Sequence, residues 1–181
     1  MTDKFIKITK NHKTEFAFFL KKIFPVVMKW EGGGKLHNVP GDTGGQTLFG
    51  IAYNKNKEHF GSLADHADTT EEEAAAFAFV NYYLKLSPEN LKSNVKLLAF
   101  DIAYNMGVSR AIQYIQECAG VTSDGVIGPN TKNNMNKITV DCLQNKRVAY
   151  YNTLNKQTKF QKFYKGWMNR ANDIYNVSKK L

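Results

Sequence analysis

Apolar residues recur three and four positions apart along most of the chain, which is the spacing of one face of an α-helix. The first such run is Phe16, Phe19, Leu20, Ile23 and Phe24. The sequence therefore predicts a mainly α protein. The later predicted helices cover residues 71–86, 95–106, 109–119, 139–155 and 160–177.

Residues 32–50 interrupt this helical pattern. Eight of the chain's 13 glycines fall between Gly32 and Gly61, so the backbone must bend tightly here and can let a ligand approach it closely. We interpret the stretch as a loop or a short β-hairpin that ends at residues 48–51. A helix is expected to begin within residues 51–57.

Pro25 lies inside the first helical run, where it cannot donate a backbone hydrogen bond. It either kinks one helix or occupies the first turn of a second helix. In both cases Glu31 comes near the C-terminal end of a helix, directly before three consecutive glycines at residues 32–34.

Two carboxylic acids, Glu31 and Asp42, stand on opposite sides of the glycine-rich bend. Hydrolysis of a glycosidic bond uses such a pair, because one acid protonates the leaving oxygen while the other group handles a water molecule or stabilises the sugar cation. A solvated helix end and a plain turn would show the same residues. Spacing alone leaves both interpretations open.

Four sequence motifs follow one another between Phe19 and Arg170. They read Glu31-Gly32-Gly33, Asp42-x-Gly44-Gly45-x-Thr47-x-Phe49-Gly50-Ile51, Phe100-Asp101-Ile102-Ala103-Tyr104-Asn105-Met106-Gly107 and Gly120-Val121-Thr122-Ser123-Asp124-Gly125-Val126-Ile127-Gly128-Pro129. In this order they resemble the signature of glycoside hydrolase family 108, whose members are bacterial and phage N-acetylmuramidases. Several motifs in one order are more specific than any single motif.

The resemblance implies a lysozyme-like fold, in which a helical bundle lobe and a small loop or β-hairpin lobe flank a cleft. It implies cleavage of the β-1,4 bond between N-acetylmuramic acid and N-acetylglucosamine in peptidoglycan, with no cofactor. By resemblance, Glu31 is the general acid, and Asp42 and Thr47 position water or stabilise the sugar cation. The substrate-binding residues that it implies are Gly33, Gly45, Gln46, Tyr104 and Asn105.

The chain departs from the family pattern at four positions near the predicted site. Gly34 stands in place of Tyr, Thr43 in place of Pro, Gln46 in place of Glu, and Leu48 in place of Asn. These departures and the Asp124-to-Pro129 motif keep open a non-catalytic wall-binding or secretion-associated module. A second alternative is a lytic transglycosylase, which uses one acid and no water, and Asp42 and Thr47 argue against it.

The predicted domain organisation has three segments. Residues 1–13 form a flexible basic N-terminus, and residues 14–86 form the lysozyme-like catalytic region. Residues 87–181 form a helical lobe that resembles a peptidoglycan-binding region and packs with the catalytic region as one domain. Within this lobe we interpret the Asp124-to-Pro129 loop as mainly structural. The aromatic residues of the last two helices either stack on sugar rings or fill a core.

The formal charge of +9 favours an anionic partner, such as nucleic acid or the carboxylates and phosphate polymers of the bacterial wall. The sequence contains no zinc finger and no aromatic RNA-binding signature. We therefore expect the glycan strands of peptidoglycan, rather than nucleic acid, as the partner, and a monomeric protein.

Histidines and cysteines do not indicate a metal site. His59 and His66 lack a paired spacing such as H-E-x-x-H, so we interpret them as surface or loop residues. Cys118 and Cys142 are interpreted as two buried small side chains, and a bridge between them is left open.

The N-terminus carries charges but no apolar segment followed by a cleavage site. No run approaches the roughly 18 apolar residues of a membrane span. We expect synthesis in the bacterial cytoplasm without a signal peptide, followed by action in the periplasm or at the cell wall after export or lysis.

Overall fold

The computed structural model describes residues 3–38 and 43–181, which divide into two compact units, Met1–Asn81 and Tyr82–Leu181. The first unit contains helices α1 (Asp3–Asn11), α2 (Lys13–Phe18), α3 (Phe24–Met28), α4 (Leu63–Ala67) and α5 (Glu71–Ala78), and strands β1 (Thr47–Leu48) and β2 (Ile51–Ala52). The second contains α6 (Ser93–Met106), α7 (Val108–Ala119), α8 (Pro129–Asn134), α9 (Val140–Asn155) and α10 (Thr158–Ser178). The prediction of a mainly helical protein with a small hairpin is confirmed.

Pro25 lies in the first turn of α3, and a π-helical turn at Phe19–Ile23 joins α2 to α3. Pro25 has no backbone N–H to bond to the preceding turn, so it is tolerated at a helix start but not in a helix interior. The apolar face of this helical segment is fully buried at Phe19, Ile23 and Val27. The segment therefore gives Glu31 a rigid support.

The first residues of the chain differ from the predicted flexible basic N-terminus. Residues 3–11 form α1, and the side chain of Phe5 is buried. Its ring contacts Phe77 at 5.7 Å and His59 at 5.4 Å between ring centroids. The buried ring of Phe5 therefore packs this helix against the rest of the first unit. The many lysines of the segment made this single apolar contact hard to predict from the sequence.

The glycine-rich stretch does form a hairpin, with Thr47 opposite Ala52 and Leu48 opposite Ile51. The prediction of a helix beginning within residues 51–57 is wrong, because Ile51 and Ala52 belong to β2. Two short 3-10 turns, Tyr53–Lys55 and Lys57–His59, follow that strand. A strand forms here instead of a helix because Ile51 becomes buried when it pairs with Leu48.

Helix α6, predicted over residues 95–106, forms at residues 93–106 and is largely buried in the second unit. Its residues 97–103 are all buried, and among them is the carboxylate of Asp101. Arg170 donates to Asp101 Oδ1 from Nε at 3.0 Å and from Nη2 at 2.7 Å, and Arg147 Nη2 lies 2.6 Å from Oδ2. This buried ion cluster joins α6 to α9 and α10.

Cys118 of α7 and Cys142 of α9 form a disulfide, with Cα atoms 5.9 Å apart. The interpretation of two separate buried side chains is therefore wrong, and the bridge left open by the sequence is present. Helix periodicity places each cysteine on its own helix but does not say which helices are neighbours.

No helix within residues 3–38 or 43–181 is both long enough and apolar enough to cross a membrane.

Candidate active site

The first unit contains an open cavity of about 380 Å³ beside the end of α3. Two stretches of chain supply its walls, the bend that follows α3 and the hairpin loop. The lining residues are Trp30, Glu31, Gly32, His37, Gly45, Thr47 and Gly50. The cavity thus brings together Glu31, Thr47 and Gly45, which lie up to 16 positions apart (47 − 31) and were predicted as site residues.

The backbone fixes Glu31 at the cavity wall. Its N–H donates to the carbonyl of Met28 at 3.1 Å, and the N–H of Gly33 donates to the same carbonyl at 3.1 Å. Residues 32–34 then have φ values of +79°, +61° and +79°. Any L-residue costs about 1–2 kcal/mol in this left-handed region, so glycine makes the bend possible. Glu31 is left half-buried and lines the cavity.

The opposite wall is the start of the hairpin. Thr47 Oγ1 donates to the carbonyl of Gly45 at 3.3 Å, which holds the hydroxyl beside the cavity. Gly45 has φ +65°, and a Cβ there would lie 2.6 Å from Nδ2 of Asn54. Glycine is therefore required at residue 45 for the turn. The predicted second carboxylate, Asp42, lies outside the described residues.

Gln46 and His66 form a buried pair behind the hairpin. Gln46 Nε2 donates to the carbonyl of Leu63 at 3.2 Å and lies 2.9 Å from His66 Nδ1. His66 Nε2 lies 2.9 Å from the carbonyl of Ile51, which only accepts, so Nε2 carries the proton and Nδ1 accepts from Gln46. The interpretation of His66 as a surface residue is wrong, since it is 1% exposed. The described contacts of Gln46 are internal, and its substrate-binding role stays a prediction.

His37 lines the cavity but is not among the site residues predicted from the sequence. Its backbone N–H donates to the carbonyl of Thr47 at 2.9 Å and its carbonyl accepts from the N–H of Thr47 at 2.7 Å, so it pairs with β1. A Cβ on Gly32 would lie 2.9 Å from His37 Nε2, which places the imidazole against the residue that follows Glu31. The available signal was a histidine inside the glycine-rich bend, between two predicted site residues.

The other predicted substrate-binding residues have different surroundings. Gly33 is exposed, and nothing lies within 4 Å of the position of a Cβ there. In the second unit, the ring of Tyr104 contacts Tyr82 at 4.8 Å between centroids, and Asn105 Oδ1 accepts from the hydroxyl of Tyr151 at 2.9 Å. The substrate-binding roles of Gly33, Tyr104 and Asn105 stay predictions.

Among the described residues, no group of three or more His, Cys, Asp and Glu side chains is arranged to hold a metal ion. His59 packs its ring against Phe77 at 5.3 Å between centroids. Its surroundings are those of a packing residue.

The buried side chain of Gln116 holds the loop that precedes α8, at residues 124–126. Its Nε2 donates to Asp124 Oδ1 at 2.6 Å and to the carbonyl of Val126 at 2.9 Å, while its Oε1 accepts from the N–H of Gly125 at 2.8 Å. Asp124 Oδ1 also accepts from the N–H of Val126. These hydrogen bonds lower the pKa of Asp124 below its ordinary value, because they favour the charged carboxylate.

Residues 24–107 match the family model described as Glycosyl hydrolase 108, and residues 110–172 match the model described as Predicted Peptidoglycan domain. Residues 24–107 are therefore a glycosyl hydrolase 108 domain, followed by the predicted peptidoglycan domain. It is also similar to the solved structure of SagA from Brucella abortus, with 28% sequence identity and a TM-score of 0.74 over 93% of this chain and 95% of that chain. No curated protein sequence matches the chain.

The match to the glycosyl hydrolase 108 model confirms the resemblance seen in the motifs, and the likeness to SagA confirms the lysozyme-like fold. Together the two matched domains support a glycoside hydrolase that acts on peptidoglycan. Two departures from the family pattern, Gln46 and Leu48, are buried side chains. These two departures therefore concern how the hairpin packs on its own unit.

Proposed function

We propose that the chain is an N-acetylmuramidase that cleaves the β-1,4 bond between N-acetylmuramic acid and N-acetylglucosamine, with Glu31 as general acid. One observation carries this proposal: among the described residues that line the cavity, Glu31 is the single carboxylic acid. A half-buried carboxyl group on an open cavity can reach the oxygen of a bound sugar chain and donate its proton to it.

In the proposed reaction, Glu31 protonates the glycosidic oxygen as the bond to the anomeric carbon breaks. A water molecule adds its hydroxide to that carbon and gives up its proton to a base. We propose Asp42 as that base or as the group that stabilises the sugar cation. The hydroxyl of Thr47 lines the same cavity as Glu31 and is suited to hold the water.

The test compares wild type with Glu31→Gln on purified peptidoglycan, with the soluble muropeptides analysed by mass. Glu71→Gln is the matched control, because Glu71 is an exposed acid of the same unit that does not line the cavity. We expect reducing-end N-acetylmuramic acid from wild type and from Glu71→Gln, and almost none from Glu31→Gln.

Two other outcomes would contradict the proposal. Anhydro-muropeptides would indicate a lytic transglycosylase and would remove the role of Asp42 toward water. No release by any of the proteins, with binding to the sedimented wall intact, would indicate a non-catalytic wall-binding module.

The anomer of the first product distinguishes inversion from retention, and hence a carboxyl separation of about 6.5–9.5 Å from one of about 5–5.5 Å.

We further propose that the protein acts as a monomer in the periplasm or at the wall, after synthesis in the bacterial cytoplasm and export or lysis. The disulfide between Cys118 and Cys142 supports the location outside the cytosol, because disulfides persist in oxidising compartments and are rare in the cytosol. Thiol labelling of cell fractions tests the location: protein found only in the cytoplasmic fraction, with both cysteines labelled, would contradict the proposal.

A further inference from the structure

The helical hairpin of α9 and α10 is basic and aromatic over a long stretch. Residues 142–172 contain no Asp or Glu. The cations of this stretch are Lys146, Arg147, Lys156, Lys159, Lys162, Lys165 and Arg170, and its aromatic residues are Tyr150, Tyr151, Phe160, Phe163, Tyr164 and Trp167. Arg147 and Arg170 are buried beside Asp101, whereas the four lysines at residues 156–165 are exposed.

Three rings of this hairpin stand nearly parallel in a row. Tyr151 and Trp167 are 5.3 Å apart with an interplanar angle of 20°, and Trp167 and Phe163 are 5.8 Å apart with an angle of 25°. The row runs from the interior to the surface, because Tyr151 is 2% exposed and Phe163 is 46% exposed. Packing explains the inner end of the row. It does not explain a large apolar ring left in solvent at the outer end.

Cations surround the exposed end of this row. Lys159 Nζ lies 4.8 Å from the ring centroid of Phe160, and Lys162 Nζ lies 4.9 Å from that of Phe163. Phe160 itself contacts Trp167 at 6.1 Å between centroids. The surface therefore presents aromatic rings with a lysine ammonium group over Phe160 and another over Phe163. Residues 142–172 supply no carboxylate to neutralise these charges.

We propose that this surface, the basic aromatic face (Phe160, Phe163 and Trp167 with Lys159, Lys162 and Lys165), binds the glycan strand of peptidoglycan. Ring faces match the flat apolar face of a pyranose, and the lysines complement the carboxylates of the peptide stems. The face lies within the region that matches the peptidoglycan domain, residues 110–172. The inference rests on peptidoglycan being the substrate, as proposed above.

Charge is tested by a matched pair of double variants in a Glu31→Gln background, which keeps the wall intact. Lys159→Gln/Lys162→Gln removes two charges from the basic aromatic face, and Lys132→Gln/Lys137→Gln removes two exposed charges elsewhere in the same unit. Sedimentation with insoluble peptidoglycan over a range of NaCl concentrations gives the Kd. We expect at least a fivefold weaker Kd for the first pair and less than a twofold change for the second. Equal losses would overturn the proposal, because they would show an effect of net charge alone.

The rings are tested by Phe163→Ala, with Val126→Ala as control for loss of an exposed apolar side chain in the same unit. We expect at least threefold weaker binding for Phe163→Ala alone, with circular dichroism unchanged. In a Trp30→Phe background Trp167 is the single tryptophan, and its emission should change when soluble glycan strands are added. Unchanged emission together with unchanged binding of Phe163→Ala would overturn the role of the rings.

Failure of this inference is distinguishable from failure of the proposed activity. If Glu31→Gln still releases muropeptides, the catalytic assignment fails while the binding result stands. If the face variants bind the wall normally, the basic aromatic face is wrong while the catalytic assignment stands. Equal affinity for duplex DNA or for anionic lipid vesicles would overturn the choice of glycan as partner.

Discussion

The ring of Phe49 occupies the space that a side chain at Gly34 would need. A Cβ on Gly34 would lie 2.6 Å from Cε1 and 2.8 Å from Cζ of Phe49. Phe49 itself has a φ of +52°, which is rare for a residue with a Cβ, and it is followed by Gly50 at φ +78°. The contact joins the hairpin turn to the bend that carries Glu31. In this conformation the Phe49 ring leaves no room for a side chain at residue 34.

Gly34→Ala should therefore destabilise the protein more than Gly33→Ala. Both residues have left-handed φ values, so both substitutions carry the backbone cost of about 1–2 kcal/mol. Only residue 34 meets a neighbouring ring, because nothing lies within 4 Å of a Cβ on Gly33. Overpacking adds about 1–3 kcal/mol, to be measured by urea denaturation.

The contact with Phe49 predicts a rescue. In a Phe49→Ala background the two glycine substitutions should cost nearly the same free energy of unfolding, since the ring is gone. A persistent difference between them would mean that Phe49 is not the cause.

His37→Ala should lower kcat/KM on peptidoglycan about tenfold, the effect of losing one or two substrate hydrogen bonds. Its Tm should change little, because the two hydrogen bonds between His37 and Thr47 come from the backbone. His59→Ala is the contrasting control: its ring packs against Phe5 and Phe77, so stability should fall while kcat/KM is kept. The opposite pattern would show that His37 is only structural.

Gln46→Glu, which restores the residue of the family pattern, should destabilise the protein by about 1–3 kcal/mol. The substitution replaces the Nε2 donor by an oxygen, so the Leu63 carbonyl loses its donor and His66 Nδ1 faces a carboxylate. Thermal unfolding at neutral pH measures the effect. A variant as stable as wild type would mean that the Gln46–His66 pair rearranges freely.

Asp101→Asn should destabilise the second unit by about 3–5 kcal/mol, because it leaves the buried guanidinium groups of Arg147 and Arg170 without a counter-charge. Asp141→Asn is the control, since Asp141 is exposed and accepts only from the Tyr175 hydroxyl among its described contacts. Chemical denaturation should show less than about 1 kcal/mol for the control. Similar losses would contradict the special position of Asp101.

Asp124 should contribute a pH-dependent part of the stability. The hydrogen bonds from the Val126 N–H and the Gln116 side chain lower its pKa in the folded state, so this contribution is present above the unfolded-state pKa and is lost as pH falls through the folded-state pKa. The stability difference between wild type and Asp124→Asn should therefore shrink as the pH falls below about 4, the ordinary pKa of an aspartate. A carboxyl NMR titration of Asp124 at or above its ordinary pKa would contradict this.

The sequence predicts those structural features that depend on only a few neighbouring residues. The three glycines at residues 32–34 predict the bend that follows Glu31. The pattern of Thr70 with Glu73 predicts a capping box at the start of α5, and the structure contains it. Local patterns also place Thr47 in a hairpin. These features could be predicted because each is decided within a few positions.

The features that the sequence did not reveal depend on which distant segments become neighbours. His37 enters the cavity because its backbone pairs with Thr47, ten positions away (47 − 37). Asp101 accepts a hydrogen bond from Arg170, which is 69 positions away in the sequence. The ring of Phe5 contacts that of Phe77, which is 72 positions away (77 − 5). Periodicity gives the buried face of a helix but not the helix that covers it.

Because Cys118 and Cys142 form a disulfide, the presence of a reducing agent in the buffer affects the result of every experiment above. The disulfide closes a loop across 24 positions of sequence, and in the chain-entropy model such a crosslink is worth about 3 kcal/mol. A sample kept in dithiothreitol is therefore a different molecule from one handled in air. Its unfolding curves and wall affinities would belong to an uncrosslinked form of the second unit.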